Sequence, residues 1–118
     1  MGGNSEIISI KPNAHNNMGD VYSRWGDYEN ATVEFQKAID LKPNYADAYH
    51  NLALTYQELE KDDEAIENYL KALEINPNLW QSYKNLASIY HNKGEEEKAQ
   101  EYLNKAQSIF NQVGVSAK

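Results

Sequence analysis

Apolar residues return along the chain at helical spacing, in stripes separated by short polar segments. The clearest stripe contains Tyr49, Leu52, Ala53 and Tyr56. These positions follow the i, i+3, i+4, i+7 spacing of one helix face, so the pattern predicts an amphipathic helix. A second stripe follows, made of Ala65, Ile66, Tyr69, Ala72 and Leu73. Because the polar turn from Glu58 to Asp62 is short, the two helices are expected to pack antiparallel as a hairpin.

The same pattern occurs three times with a period of 34 residues. Positions 34 residues apart hold similar residues, and each such set of positions is called a column. The columns include Asn17, Asn51 and Asn85; Met18, Leu52 and Leu86; Gly19, Ala53 and Ala87; Tyr22, Tyr56 and Tyr90; Ala31, Ala65 and Ala99; and Ala38, Ala72 and Ala106. Self-similarity at this period predicts tandem helical hairpins. Small residues in these columns let paired helices approach closely, while Tyr and Leu fill the space beside them.

Turn residues mark the ends of the predicted helices. Gly26 and Gly94 stand where a first helix ends and the chain must turn, at positions suited to a positive φ angle. The middle repeat carries Glu60 there, which predicts either backbone strain or a different turn geometry. Pro43 and Pro77 stop the second helices of the first two repeats.

These residues resemble the signature of the tetratricopeptide repeat family over residues 12 to 111. The matching positions are His15, Met18, Gly19, Tyr22, Ala31, Phe35 and Pro43 in the first repeat; Tyr49, Leu52, Ala53, Tyr56, Ala65, Tyr69 and Pro77 in the second; and Tyr83, Leu86, Ala87, Tyr90, Ala99 and Leu103 in the third. Asn111 replaces the last proline, which leaves the last helix free to continue. The resemblance implies an all-α fold, an α-solenoid of three antiparallel helix hairpins in a right-handed superhelical array.

The period also divides the chain. The expected units are the first repeat at residues 12–45, the second at 46–79, the third at 80–111 with an extended capping helix, and a C-terminal tail at 112–118. Residues 1–11 are expected to combine a cloning scar with the end of a truncated second helix, because residues 7–13 resemble residues 38–44. His15 follows Pro12 closely, so the first helix is expected to be about a turn short or to begin differently.

On the second helices, the positions that face a following repeat indicate where the array ends. These positions are Thr32, Ile66 and Gln100, and Ile39, Leu73 and Gln107. Positions that would pack on a following repeat thus turn polar in the last one, and the last helix is interpreted as a cap. The apolar residues left near the two ends are Ile7, Ile8, Ile109 and Phe110. Self-association through them is one alternative function.

Charge and composition narrow the classes of partner. The 118 residues include 11 Lys and Arg against 18 Asp and Glu, a formal net charge of −7, and no cysteine. The acidic balance argues against a nucleic-acid partner, and the absence of cysteine excludes disulfides, zinc–thiolate sites and cysteine nucleophiles. No stretch approaches the roughly 18 consecutive apolar residues of a membrane helix. We therefore expect no membrane partner and a cytoplasmic location.

The sequence carries no constellation typical of catalysis. His15, His50 and His91 lie far apart and in different columns of the repeat, and no phosphate-binding loop or nucleophile motif occurs. The acidic runs at residues 62–64 and 95–97 open second helices, where carboxylates suit the helix dipole and cap free N–H groups. We expect no cofactor and no metal, and the chain is predicted not to be an enzyme.

The face of the first helices that points away from the core is the remaining candidate site. In stacked hairpins the first helices line the concave side, which forms a groove for an extended ligand. The predicted groove residues are Asn13, Asn16, Asn17, Asp20, Ser23 and Arg24 in the first helix; Asp47, His50, Asn51, Leu54, Gln57 and Glu58 in the second; and Gln81, Lys84, Asn85, Ser88, His91 and Asn92 in the third. They are mostly polar and rich in amides.

The column of Asn17, Asn51 and Asn85 has two interpretations. An asparagine amide offers the donor and the acceptor that a peptide unit needs. Helices packed roughly 8–10 Å apart would meet about every third residue of a peptide that rises roughly 3.3 Å per residue. The column is similar to the asparagine ladder of O-linked N-acetylglucosamine transferases, a resemblance that implies a grip on the ligand backbone. Alternatively, these side chains join adjacent helices by hydrogen bonds.

A second binding mode of the family grips a C-terminal carboxylate with Lys, Asn, Asn, Lys and Arg. The corresponding positions hold Asn16, Asp20, Asn51, Gln81 and Asn85. Only Asn51 matches, and Asp20 would repel a carboxylate, so this mode is not expected here.

The sequence therefore predicts a non-catalytic module that binds an extended or helical peptide segment of another protein. Backbone contacts would come from the amide column, and specificity would be adjusted by Arg24, His50, Lys84 and His91. Two alternatives stay open: a substrate-recruiting fragment of a larger enzyme, and a self-associating structural scaffold.

Overall fold

Six α-helices account for the part of the chain that the structure describes. The structure, a computed structural model, describes the backbone of residues 2–116 and the side chains of residues 11–114. The helices are α1 (Gly2–Arg24), α2 (Tyr28–Leu41), α3 (Ala46–Glu58), α4 (Asp62–Ile75), α5 (Trp80–Asn92) and α6 (Glu96–Ser116). Residues 2–116 contain no β-strand, and the predicted all-α fold is confirmed. None of these helices is both long and apolar enough to cross a bilayer.

Consecutive helices pair as three stacked hairpins. α1 packs against α2, α3 against α4, and α5 against α6, while α3 and α5 also pack on the hairpin before them. The first helices touch one another in sequence, whereas within residues 2–116 the second helices α2, α4 and α6 do not. Because the first helices lie closer together, the row curves around them. The predicted helical-repeat solenoid is confirmed, with α1, α3 and α5 on its inner side.

Two adjoining clusters of buried side chains form the core. One is centred on Phe35 and Leu52, and the other on Tyr69 and Leu86. Alanines surround these larger side chains and allow the helices to approach, as the sequence predicts. α1 approaches α2 closely at Gly19, where a Cβ atom would lie 2.6 Å from the ring of Phe35.

The three hairpin turns share one geometry. The second residue after each first helix is left-handed, with φ of 80° at Gly26, 60° at Glu60 and 82° at Gly94. In each turn the following N–H donates to a carbonyl five residues back, at 2.9 Å. This is the bond of a Schellman motif. Of the two outcomes predicted for Glu60, the structure shows the strained one, since the turn geometry itself is unchanged.

The first helix differs from the sequence expectation. α1 is continuous from Gly2 to Arg24 and includes Pro12. The second helices, by contrast, end just before Pro43 and Pro77. Residues 7–13 thus continue a helix where residues 38–44 end one, and their interpretation as the end of a truncated second helix stays a prediction. The first helix is not short; it begins differently, and the expected boundary after residue 11 falls inside it.

The last helix continues past the length of the other second helices. α6 has 21 residues, whereas α2 and α4 have 14 each. This agrees with the prediction that the helix runs on where Asn111 replaces proline. Gln100 and Gln107 are exposed, and each donates a hydrogen bond of 2.9 Å to the side-chain oxygen of the residue four positions later.

The apolar residues predicted at the array ends fall into two groups. Ile109 is half-buried and Phe110 is 48 % exposed, with its ring 4.9 Å from that of Trp80. The side chains of Ile7 and Ile8 lie outside the described residues.

Candidate functional site

The predicted groove residues share one side of the stack because they occupy equivalent columns of α1, α3 and α5. Those with exposed side chains are Asn13, Asn17, Arg24, Asp47, Leu54, Glu58, Gln81, Lys84, Ser88, His91 and Asn92. Those that are half-buried are Asn16, Asp20, Ser23, His50, Asn51, Gln57 and Asn85. The second group lies between helices, so part of the predicted ligand surface is used within the fold.

The asparagine column is engaged mainly with neighbouring helices. The Asn51 amide donates to Asn16 Oδ1 at 3.1 Å and thereby links α3 to α1. Asn85, on α5, is half-buried and lies close enough to the hydroxyl of Tyr69 on α4 to lower the pKa of that group. Asn17, the first member of the column, is exposed. A bond between helices is thus observed at Asn51, and a grip on a ligand by this column stays a prediction.

Tyr69 lies behind the groove, next to Asn85. Its ring is fully buried, and its hydroxyl donates to Gln57 Oε1 at 2.8 Å. Burial raises the pKa of the Tyr69 hydroxyl far above its usual range, and the Asn85 side chain opposes the rise. The hydroxyl therefore stays protonated and donates from α4 to Gln57 on α3.

Each of the three histidines has a specific neighbour. His15 Nδ1 lies 2.8 Å from Glu34 Oε1 and joins α1 to α2. This bond is the main reason that the pKa of Glu34 is lowered. His91 Nδ1 lies 2.8 Å from Glu96 Oε1, at an exposed position between α5 and α6. Within residues 11–114, no group of His, Asp and Glu side chains has the arrangement of a metal site.

His50 is placed in the junction between the second and third repeats. Its Nδ1 lies 2.7 Å from Ser82 Oγ, and its ring packs 5.4 Å from that of Tyr69. Removal from water lowers the pKa of His50, while the charge of Asp47 opposes the change. One ring nitrogen is thus committed to the fold, and any role of His50 in specificity stays a prediction.

A small cavity opens where α1 and α3 meet on the inner side. It has a volume of about 250 Å³, and its lining includes Asp20, Arg24, Leu54 and Glu58. Leu54 is 41 % exposed there. The Arg24 guanidinium lies 3.0 Å from the Asp20 carboxylate on the same helix. An exposed apolar side chain thus stands among charged groups of both signs.

The remaining predicted residues gather around α5. Lys84, Asn85, Ser88 and His91 line a cavity of 440 Å³ between α5 and α6. Its apolar lining includes Leu103, which sequence reasoning did not assign to a site. A signal was present, because Leu103 occupies the column of Phe35 and Tyr69 but has no following repeat within residues 2–116 to cover it.

Sequence reasoning also missed the polar bridges between repeats. Tyr45 donates to Asn13 Oδ1 at 2.7 Å, and the hydroxyls of Ser23 and Thr55 lie 3.4 Å apart. Both bridges join α1 to α3 or to the residue just before it. Their partners belong to different columns, so a search for identical residues at one spacing does not detect them.

Comparison with known proteins agrees with this architecture. The family model for the tetratricopeptide repeat matches residues 12–78 and residues 44–112. The chain belongs to the tetratricopeptide repeat family. No curated protein sequence matches it.

Two kinds of solved structure resemble this tetratricopeptide repeat chain. Crystal structures of MamA are 30 % identical, with TM-scores of 0.85 and 0.80; the matches cover 88 % and 86 % of this chain. The chain spans only 61 % and 56 % of those MamA chains. The first repeat domain of Spaghetti (RPAP3), bound to the HSP90 peptide SRMEEVD, has a TM-score of 0.81 at 20 % identity, over 84 % of this chain and 79 % of that one.

Proposed function

We propose that this chain is a non-catalytic module that binds an extended peptide segment of another protein on the inner face of α1, α3 and α5. The tetratricopeptide repeat fold supports an interaction role, and a structural neighbour with this fold carries a bound peptide. The cytoplasmic location and the absence of nucleic-acid and membrane partners stay predictions. Recruitment of substrates to an enzyme would use the same face.

The observation that carries the proposal is the exposure of Leu54 on the inner face. A leucine that is 41 % exposed beside a small cavity offers an apolar contact for one ligand side chain. Its neighbours Arg24 and Glu58 provide both signs of charge at the rim. A peptide with an apolar anchor and a flanking charged residue fits this surface.

Exposed amides extend the surface along the stack. Asn17 on α1 and Gln81 on α5 are exposed and offer donors and acceptors to a peptide backbone. Lys84 and His91 are also exposed on α5 and would adjust specificity together with Arg24. Because Asn51 is bonded to Asn16, we propose that it grips the ligand less directly than Asn17.

The ligand of the structural neighbour is not expected to bind in the same way. SRMEEVD contains three acidic residues, one of them its last residue. Asp20 lies at the edge of the cavity and would repel these groups. A synthetic SRMEEVD peptide is therefore expected to bind much more weakly than a peptide chosen for this groove.

A matched pair of leucine variants tests the proposal. Leu54 on α3 and Leu70 on α4 are 41 % and 43 % exposed, but only Leu54 lies on a first helix. A peptide selected from a random 12-residue library would be titrated against the parent, Leu54→Asp and Leu70→Asp by fluorescence anisotropy. We expect Leu54→Asp to weaken binding at least about tenfold, which corresponds to about 1.4 kcal/mol, and Leu70→Asp to leave it unchanged.

Amide chemical shifts locate the ligand independently of the variants. Titration of the ¹⁵N-labelled parent with the selected peptide is expected to shift signals on α1, α3 and α5 more than those on α2 and α4. Equal weakening by both leucine substitutions, or shifts confined to the second helices, would contradict a groove on the inner face.

A further inference from the structure

The first helix leaves an apolar face uncovered that the other first helices bury. We call Ala14, Met18 and Val21 the head face; Ala14 is exposed, and Met18 and Val21 are 48 % and 39 % exposed. The equivalent residues are Ala48, Leu52 and Thr55 in α3, and Ser82, Leu86 and Ile89 in α5. All six are at most 2 % exposed. They are buried because α3 and α5 pack on a preceding hairpin, whereas no described hairpin precedes α1.

The opposite end of the stack leaves a groove uncovered. We call the lining residues Trp80, Lys84, Ala87, Ala99, Leu103 and Phe110 the tail groove. It consists of two adjoining cavities of 440 and 260 Å³ that share Lys84 and Leu103. Leu103 is 46 % exposed, whereas the equivalent Phe35 and Tyr69 are 1 % and 0 % exposed under the next hairpin. The groove is therefore the surface that receives a first helix elsewhere in the stack.

The chain already contains two junctions between consecutive repeats. In each of them, a surface equivalent to the head face packs on a surface equivalent to the tail groove. In the first junction, Leu52 packs in the same cluster as Phe35. One repeat earlier, Leu52 corresponds to Met18, and two repeats later Phe35 corresponds to Leu103. We propose that the head face of one copy of this chain seats in the tail groove of a second copy, which continues the stack from molecule to molecule.

Charges at the edge of the junction favour this pairing. Tyr28 and Glu58 line the same cavity between α1 and α3. Glu58 corresponds to Arg24 one repeat earlier, and Tyr28 corresponds to Glu96 two repeats later. Stacked copies would thus bring Arg24 of one copy toward Glu96 of the other, a pair of opposite charges at the rim.

The polar columns of α6 set the strength of the contact. Gln100 and Gln107 are exposed where α4 carries Ile66 and Leu73, and their amides already bond along α6. Association between copies is therefore weaker than packing between covalently joined repeats and depends on concentration. Because head and tail are different surfaces, the contact is heterologous and forms open chains. Of the residues that line the Leu54 cavity, Arg24 also takes part in this contact.

Sedimentation equilibrium over a concentration series tests the proposal with one variant for each surface. Met18→Glu blocks the head face and Leu103→Glu blocks the tail groove; Val33→Glu on α2, at a residue 49 % exposed, is the matched control. We expect the average mass of the parent and of Val33→Glu to rise past two chains, and each blocked variant to remain a monomer. An equimolar mixture of the two blocked variants retains one head and one tail, so it should form a dimer and nothing larger.

Disulfide trapping tests the register. The hydroxyls of Ser23 and Thr55 lie 3.4 Å apart in the first junction, and their equivalents at the intermolecular junction are His91 and Val21. Because the chain has no cysteine, Val21→Cys and His91→Cys introduce the only thiols. Mixed under mild oxidation, they should cross-link to each other faster than either does to itself.

Three results would overturn the proposal. They are a parent that stays monomeric up to its solubility limit, blocked variants that associate as the parent does, and cysteine variants that cross-link no faster as a mixture. Circular dichroism of each variant shows that it is folded, so a monomeric variant is not mistaken for an unfolded one.

Discussion

The Asn51 amide donates to Asn16 Oδ1 across 3.1 Å and so ties α3 to α1. Asn17 occupies the same column as Asn51 but is exposed on α1. Asn51 thus has a structural bond, whereas a ligand-facing role for the exposed Asn17 stays a proposal.

Replacing Asn51 by Ala is expected to lower the free energy of unfolding by about 1 kcal/mol, the usual contribution of one hydrogen bond. Asn17→Ala should change it by less than about 0.5 kcal/mol, as is common for exposed positions. Urea denaturation followed by circular dichroism measures both. If the two variants lost equal stability, the bond between helices would not be the main role of Asn51.

Glu60→Gly is expected to stabilise the protein. The left-handed conformation at φ of 60° costs a residue with a side chain about 1–2 kcal/mol, and glycine avoids this strain. Glycine also has a larger conformational entropy in the unfolded state, which reduces the gain by about 0.5–1 kcal/mol. A net gain of about 0.5–1 kcal/mol should appear as a higher melting temperature. Glu58→Gly, two residues earlier and inside α3, should instead lose about 1 kcal/mol. A loss at both positions would contradict a left-handed Glu60.

The burial of His50 predicts a loss of stability in acid. Because its folded-state pKa lies below the ordinary histidine value of 6.5, the neutral form favours the fold. This stabilisation is complete above pH 6.5 and is lost as the pH falls from there through the folded-state pKa. Urea denaturation at a series of pH values should show the decline in the parent.

His50→Gln keeps an amide near Ser82 without a titrating group, so its stability should vary less over the same range. His91→Gln is the control, since the His91 side chain is 67 % exposed. This variant should retain the slope of the parent. A slope unchanged by His50→Gln would assign the acid response to other groups.

Gly19→Ala is expected to destabilise the protein although it lies within a helix. Alanine normally improves a helix interior by about 1 kcal/mol over glycine. Here the new Cβ would lie 2.6 Å from the buried ring of Phe35, and overpacking costs about 1–3 kcal/mol. We expect a net loss of about 1 kcal/mol in thermal unfolding.

Two further variants check the cause of that loss. At Gly114 a Cβ would meet nothing within 4 Å, so Gly114→Ala should be neutral or stabilising. Adding Phe35→Leu to Gly19→Ala recreates the pairing of Ala87 with Leu103 in the third repeat and should recover part of the loss. Equal effects at Gly19 and Gly114 would show that the ring of Phe35 moves aside freely.

Much of the fold was predictable because its rules are local and repeat. Helix faces follow from apolar spacing, and the turns at Gly26 and Gly94 follow from the need for a positive φ angle. The helical state of Pro12 was not predictable from the comparison with Pro43, since the same Lys-Pro pair ends a helix at one site and continues it at the other.

The sequence predicted which positions belong to the candidate site. It did not predict which of their side chains form hydrogen bonds within the fold. Periodicity places Asn17, Asn51 and Asn85 on equivalent helix faces. Their bonding depends on what lies on the adjacent helix, such as Asn16 beside Asn51 or Tyr69 beside Asn85. Those neighbours belong to other columns, so one repeat compared with another does not reveal them.

The sequence by itself determined the number of hairpins, the inward face of each helix and the residues that turn the chain, because each depends on side chains a few positions apart. Only the tertiary structure decided which equivalent residues are covered. Met18, Leu52 and Leu86 are all apolar and occupy one column, yet Met18 is 48 % exposed while the others are at most 2 % exposed. The difference arises because burial requires a neighbouring hairpin, which lies beside α3 and α5 but, within residues 2–116, not beside the head face of α1.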